Sequence, residues 1–120
     1  MDWQTFMAER PLGVLATLGE DGTPHAVPVE VVVHDGKVYA WSQGTSMKVR
    51  NVARTGRAAM VAYKGHDFAL VRGPARLLRS VDDDYEQITR AFLTKYNREE
   101  SYGNDVLVEV SPELVSAKES

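Results

Sequence analysis

Ala40-Trp41-Ser42-Gln43-Gly44-Thr45-Ser46-Met47-Lys48-Val49-Arg50-Asn51 takes the chain from a strand, through a small polar turn, into the start of a helix that bears a lysine. Residues Lys37 to Ser42 are beta-prone through Val38, Tyr39 and Trp41. Thr45 or Ser46 can cap a helix carrying Val49, Val52 and Ala53 on one side, and Gly56 suits the left-handed position beyond its end. Such a helix has about three turns at most. Its free N–H groups and dipole favour an anion at the N-terminus. Ser42, Thr45 and Ser46 can donate hydroxyl protons there, and Lys48 supplies a full charge. The same residues also read as an ordinary cap and a solvated basic face, and local features leave both readings open.

On the N-terminal side the pattern is strands punctuated by turns. Leu12, Val14, Ala16 and Leu18 share one face of a strand, and Gly19-Glu20-Asp21-Gly22 is a hairpin signal. His25 to Val33 is a near-continuous Val-rich strand, ended by His34-Asp35-Gly36. On the C-terminal side, Arg57 to Tyr63 and Asp67 to Arg79 read as two more strands, and Gly73-Pro74 is expected to break the ladder of the second. Tyr85, Ile88, Phe92 and Tyr96 recur at helical spacing behind a cap at Asp82 or Asp83, and that helix should lie across the sheet. Asp105 to Val110 alternates and is stopped by Pro112, which makes it the final strand before a polar tail. The expectation is a mainly β fold: a six-stranded antiparallel barrel with two to three short helices. Closure removes edges that would otherwise aggregate.

The 120 residues suit a single domain spanning 1–120, and neither repeats nor linkers divide it. With 43% hydrophobic and 26% charged residues, the composition is that of a soluble globular protein. No apolar run approaches the roughly 20 residues of a membrane span, and MDWQTFMAER lacks the basic and apolar regions of a signal peptide, so a cytoplasmic protein is expected. The absence of cysteine removes disulfides, thiolate nucleophiles and sulfur-ligated metals. A net charge of −3 gives no general reason to expect nucleic acid as a partner. Locally, Lys48, Arg50, Arg54 and Arg57 occur with no acid between them, which favours anions at one place. His25, His34 and His66 lack metal-ligand spacing, and no hydrolytic triad, phosphate-cradling glycine loop or paired-carboxylate motif is present. Neither a metal nor a protein-borne catalytic residue is assigned.

Pro11-Leu12-Gly13-Val14-Leu15-Ala16-Thr17-Leu18, Gly22-Thr23-Pro24-His25-Ala26-Val27-Pro28-Val29 and Ser46-Met47-Lys48-Val49-Arg50-Asn51, in that order and spacing, carry a resemblance over nearly the whole chain. The sequence resembles the pyridoxamine 5′-phosphate oxidase-like split-barrel superfamily, in particular its short flavin- and deazaflavin-dependent oxidoreductase branch. The resemblance implies that Val27, Pro28, Val29 and Glu30 lie against a flavin ring, and that Ser42, Ser46 and Lys48 hold the phosphate. It also implies a homodimer with sites between protomers, a role for which exposed apolar strands such as Phe68 to Val71 are suited.

Several of these residues keep a plainer alternative. Pro28 in a strand also marks an ordinary edge, and Glu30 fits an outward barrel face. Trp41 and Met47 can wall a ring or simply pack, and Asn51 can touch phosphate or fix the turn. Arg50 and Arg54 either reach an extended anionic tail or are solvated.

The expected function is an FMN-binding oxidoreductase moving a hydride or electrons to a small unsaturated or aromatic substrate, the chemistry belonging to the cofactor. The alternatives are a reductase using the deazaflavin coenzyme F-420, and a non-catalytic flavin or haem carrier. Pyridoxamine phosphate oxidases carry a longer, arginine-containing C-terminal region than the one after Val110-Ser111-Pro112, so vitamin B6 oxidation is not expected.

Overall fold

The structure, a computed structural model, describes residues 1–100 and 105–120. Helix α1 (Trp3–Ala8) is capped by the Asp2 carboxylate, which accepts from the Gln4 N–H at 3.0 Å. The strands and helices then follow as β1 (Gly13–Leu18), β2 (Pro24–Val29), β3 (Val31–His34), β4 (Lys37–Gln43), α2 (Met47–Thr55), β5 (Arg57–Lys64), β6 (Asp67–Leu78), α3 (Tyr85–Lys95), β7 (Asp105–Val110) and β8 (Leu114–Lys118).

The sheet is antiparallel with eight strands, not six, ordered β2-β1-β5-β6-β7-β4-β3, with β8 on β6. Two features account for the difference. The Val-rich run is two strands, because Glu30 leaves the ladder between Val29 and Val31. The tail expected after Pro112 returns as β8, which pairs Leu114 with Arg72 and Lys118 with Phe68.

The edge strands β2 and β3 are therefore separated by one residue in sequence, and Glu30 sits at the seam. Inward residues from both ends of the strand order, Val29 and Val31 among them, join Leu15, Met60, Val71 and Val108 in one buried cluster. That shared core is what makes the sheet a split barrel.

Along β6 the ladder does not break at Gly73-Pro74. The strand runs through, pairing with β5 from Asp67 to Pro74 and with β7 from Ala75 onward. Pro74 has no N–H to donate, and it sits at the handover of partners, where none is needed. Phe68 to Val71 is consequently covered by β5 and β8. Among the described residues the large exposed apolar side chains lie elsewhere: Met1, Leu12, Leu18, Met47, Tyr63, Val81, Leu114 and Val115. In β1 the shared face of Leu12, Val14, Ala16 and Leu18 points outward, and Gly13, Leu15 and Thr17 are buried.

Every residue of β7 is buried, because Val106, Val108 and Val110 face the barrel core while Leu107 lies under α3. There it packs with Val32, Tyr39, Trp41, Leu78, Ile88 and Phe92. The helical stripe is as expected, although the N-cap is Asp84 rather than Asp82 or Asp83. Beneath it, the buried Glu109 carboxylate accepts from the Tyr39 hydroxyl at 2.8 Å and the Arg76 Nε at 2.7 Å. Burial works against ionisation of Glu109, but these donors outweigh it and hold its pKa below the usual range. No helix among the described residues is long and apolar enough to cross a membrane.

Candidate functional site

β4 ends at Gln43, and α2 begins at Met47 behind the N-cap Ser46, whose backbone is extended. The turn closes through the Ser46 N–H, which donates to the Gln43 carbonyl at 3.0 Å. At the far end Gly56 adopts φ 67° and its N–H donates to Val52 O at 2.8 Å, so a residue with a side chain would be strained there. Asn51 takes a buried place that the apolar pattern gave to Ala53, which is exposed.

Two clefts flank the start of α2. The first, about 340 Å³, is lined by Pro28, Val29, Glu30, Trp41, Ser42 and Lys48 together with Gln43, Arg98 and Asp105. Six of the ten residues singled out from sequence thus meet in one depression between the barrel seam and the helix. The second, about 470 Å³, lies between α2 and the β1–β2 hairpin and takes Met47 and Asn51 with His25, Arg50 and Arg54. Val27 lines neither; half-buried, it packs against the barrel core. Ser46 stands at the turn itself.

The hydroxyls of Ser42 and Ser46, before and after the turn, are buried and without a hydrogen-bond partner among the described residues. A buried hydroxyl left unmatched costs about 1–3 kcal/mol, so each of the two calls for a partner, water or a bound group, that the described residues do not supply. The half-buried Lys48 has no carboxylate in ion-pair range among the described residues, and burial lowers its pKa. Two hydroxyls, a helix N-terminus and a desolvated ammonium are donors of the kind that can meet an anion.

Asn51 acts differently. Its Nδ2 donates to Thr17 Oγ1 at 3.0 Å and its Oδ1 accepts from Arg54 at 3.3 Å, so it ties α2 to β1. Arg54 also donates to the Leu18 carbonyl, whereas the exposed Arg50 guanidinium has no partner among the described residues. Glu30 is not an outward solvated residue: its carboxylate is gripped by both terminal nitrogens of Arg98. Sequence reasoning missed Arg98, whose partner lies 68 positions away. The described residues hold no group of three or more His, Asp or Glu placed to bind a metal ion.

The pyridoxamine 5′-phosphate oxidase family profile matches residues 2–119, and the chain belongs to that family. No curated protein matches the sequence. Among solved structures it is similar to an F420 reductase, at 20% identity and a TM-score of 0.76 over 97% of both chains. An FAD-binding protein from Mesorhizobium loti is 20% identical over 97% of this chain and 91% of that one, with a TM-score of 0.74. The heme storage protein HutZ from Vibrio cholerae is 13% identical over 94% and 89%, with a TM-score of 0.75. At such identities these likenesses concern the fold.

Proposed function

We propose that this chain is an FMN-binding oxidoreductase, with the cofactor's phosphate over the start of α2 and its ring against Pro28 to Glu30 of the seam. The observation that carries the reading is the pair of buried, unpartnered hydroxyls of Ser42 and Ser46 beside the desolvated Lys48. When bound, the flavin supplies the hydride or electron transfer to a small unsaturated or aromatic substrate. The chain's own residues bind and orient it: Lys48 meets the phosphate charge, Pro28 and Val29 give an apolar wall, and Trp41 closes the inner side.

Two copies joined through the outward face that carries Leu18 and Leu114 beside Ala16 and Ala59 form the expected homodimer, since exposed apolar residues of this kind favour association.

Ultraviolet-visible titration with FMN, and separately with the deazaflavin coenzyme F-420, tests the assignment. Tight FMN binding is expected, with sedimentation giving a dimer. Lys48→Ala is expected to weaken FMN binding about 10- to 100-fold, the size of a lost charge-assisted hydrogen bond. Because burial lowers the Lys48 pKa, its charge disappears earlier than an ordinary lysine's as pH rises, and FMN affinity should fall on that alkaline side. Unchanged affinity in Lys48→Ala would remove the phosphate assignment.

A second reading, a deazaflavin-dependent reductase, draws on the adjoining cleft, where Arg50, without a partner among the described residues, can meet an acidic tail and Glu20 and Asp21 on the hairpin side set a limit to how much negative charge fits. Tight binding of the deazaflavin coenzyme alone would select it. Binding of a flavin or haem without turnover by any reductant would instead make the protein a carrier.

A further inference from the structure

The barrel seam carries a device that the cofactor reading leaves unexplained. Glu30 breaks the strand between the two sheet edges and presents a carboxylate to the same cleft as Lys48. Arg98 covers that carboxylate with both terminal nitrogens, and its guanidinium lies 5.6 Å from the Trp41 ring and 5.6 Å from the Tyr96 ring.

Arg98 is held where it is by the end of α3. Asn97 turns into the left-handed region at φ 54°, the Asn97 N–H donates to Thr94 O at 3.4 Å, and the Arg98 N–H donates to Leu93 O at 2.9 Å. This pair of bonds is a Schellman closure with asparagine in the place glycine usually takes. The same helix end is fastened to the seam. The Tyr96 hydroxyl accepts from the Val31 N–H at 2.8 Å and donates to Pro11 O at 2.9 Å, while Lys95 Nζ donates to Val31 O at 2.6 Å.

The charges lining the cleft are Glu30 and Asp105 against Lys48 and Arg98, an even balance. Without Arg98, two carboxylates would face one ammonium and a phosphate-bearing ligand would be repelled. We propose that Arg98 is a positioning residue of the binding site: by neutralising Glu30 across the seam it makes the cleft able to accept an anionic ligand, without itself holding that ligand. The proposal rests on the phosphate-site reading above and adds the residue that sets its charge selectivity.

A mutant cycle on the full chain tests it, with FMN and riboflavin titrated in parallel at low salt and each variant's Tm recorded. Arg98→Met, which keeps the aliphatic length, is expected to weaken FMN binding about tenfold or more, by leaving the Glu30 carboxylate unneutralised in the cleft. Riboflavin, which lacks the phosphate, should lose much less. Arg98→Lys should keep most of the affinity, and adding Glu30→Gln to Arg98→Met, which restores the even charge balance, should bring FMN binding back to within about twofold of the wild type.

A double variant as weak as Arg98→Met, or an Arg98→Met protein that binds like wild type, overturns the proposal. If the wild type binds neither flavin nor deazaflavin, the proposed function fails, and inorganic phosphate decides the matter of Arg98. A phosphate-induced rise in Tm that vanishes in Arg98→Met and returns in the double variant supports the role. An equal rise in all variants, or no rise in the wild type, overturns it.

Discussion

Gly73→Ala is expected to cost about 4 kcal/mol or more and to lower Tm by more than about 10 °C, among the largest effects a single methyl group can have in a domain of this size. A Cβ on Gly73 would land inside the van der Waals envelope of the Ser111 carbonyl oxygen and 3.0 Å from the Glu113 backbone nitrogen. Both obstacles are backbone, held by ladder-like bonds from the Ser111 N–H to Pro74 O and from the Glu113 N–H to Arg72 O, each 2.9 Å. They cannot step aside without uncoupling β7 or β8 from β6. Urea unfolding gives the comparison, with Gly22→Ala as control. Gly22 sits at φ 85° in open space, so alanine there brings left-handed strain of about 1–2 kcal/mol and no collision. Equal, small losses in the two variants would mean that the β7–β8 crossing does not press on Gly73.

That crossing also marks the limit of what could be read in the residues alone. Gly73-Pro74 is legible as an irregularity, and a bulge is the common cause of one. Whether a strand ends there or trades one partner for another depends on where β7 and β8 lie, which no local pattern contains. The same holds for Leu114 to Lys118. All five residues are exposed and only Leu114 and Val115 are large and apolar, so the segment has no alternation to betray it as a strand. The strongly periodic elements were legible. The Gly19–Gly22 hairpin, the Tyr85-Ile88-Phe92 stripe and the Gly56 helix end are each fixed by residues within one or two turns of chain.

The candidate site divides along the same line. Ser42, Ser46 and Lys48 are close in sequence, and helix-start chemistry brings them to one turn. Pro28, Val29 and Glu30 needed the family resemblance, since their approach to that turn is made by the barrel's closure. Arg98 carried no signal at all: it follows α3 among charged and polar neighbours, and only the seam geometry reveals that it faces Glu30. For Asn51 the residues alone left open whether it touches phosphate or fixes the turn, and only the packing of α2 on β1 shows that its amide meets Thr17 and Arg54.

Phe92→Ala is expected to lower unfolding stability by about 3–5 kcal/mol, the range for emptying an aromatic site in a packed core. Phe92 has no exposed surface, lies 5.1 Å from the Trp41 ring in a tilted contact and 6.2 Å from the Tyr96 ring in a stacked one. Each such pair adds about 0.5–1.5 kcal/mol beyond the area buried, and both are lost together. The consequence reaches the cleft, because Trp41 lines it and Tyr96 fastens the end of α3 to Val31. A loosened α3 would let Arg98 leave Glu30, so FMN binding should weaken along with the fold. Phe92→Leu, which keeps much of the volume, should cost no more than about 1.5 kcal/mol and leave binding near that of the wild type. Unfolding in urea, followed by the fluorescence of Trp3 and Trp41, distinguishes the outcomes. A loss below about 1.5 kcal/mol for the alanine variant would mean that α3 is not docked by this residue, and the seam pairing of Arg98 would then need another support.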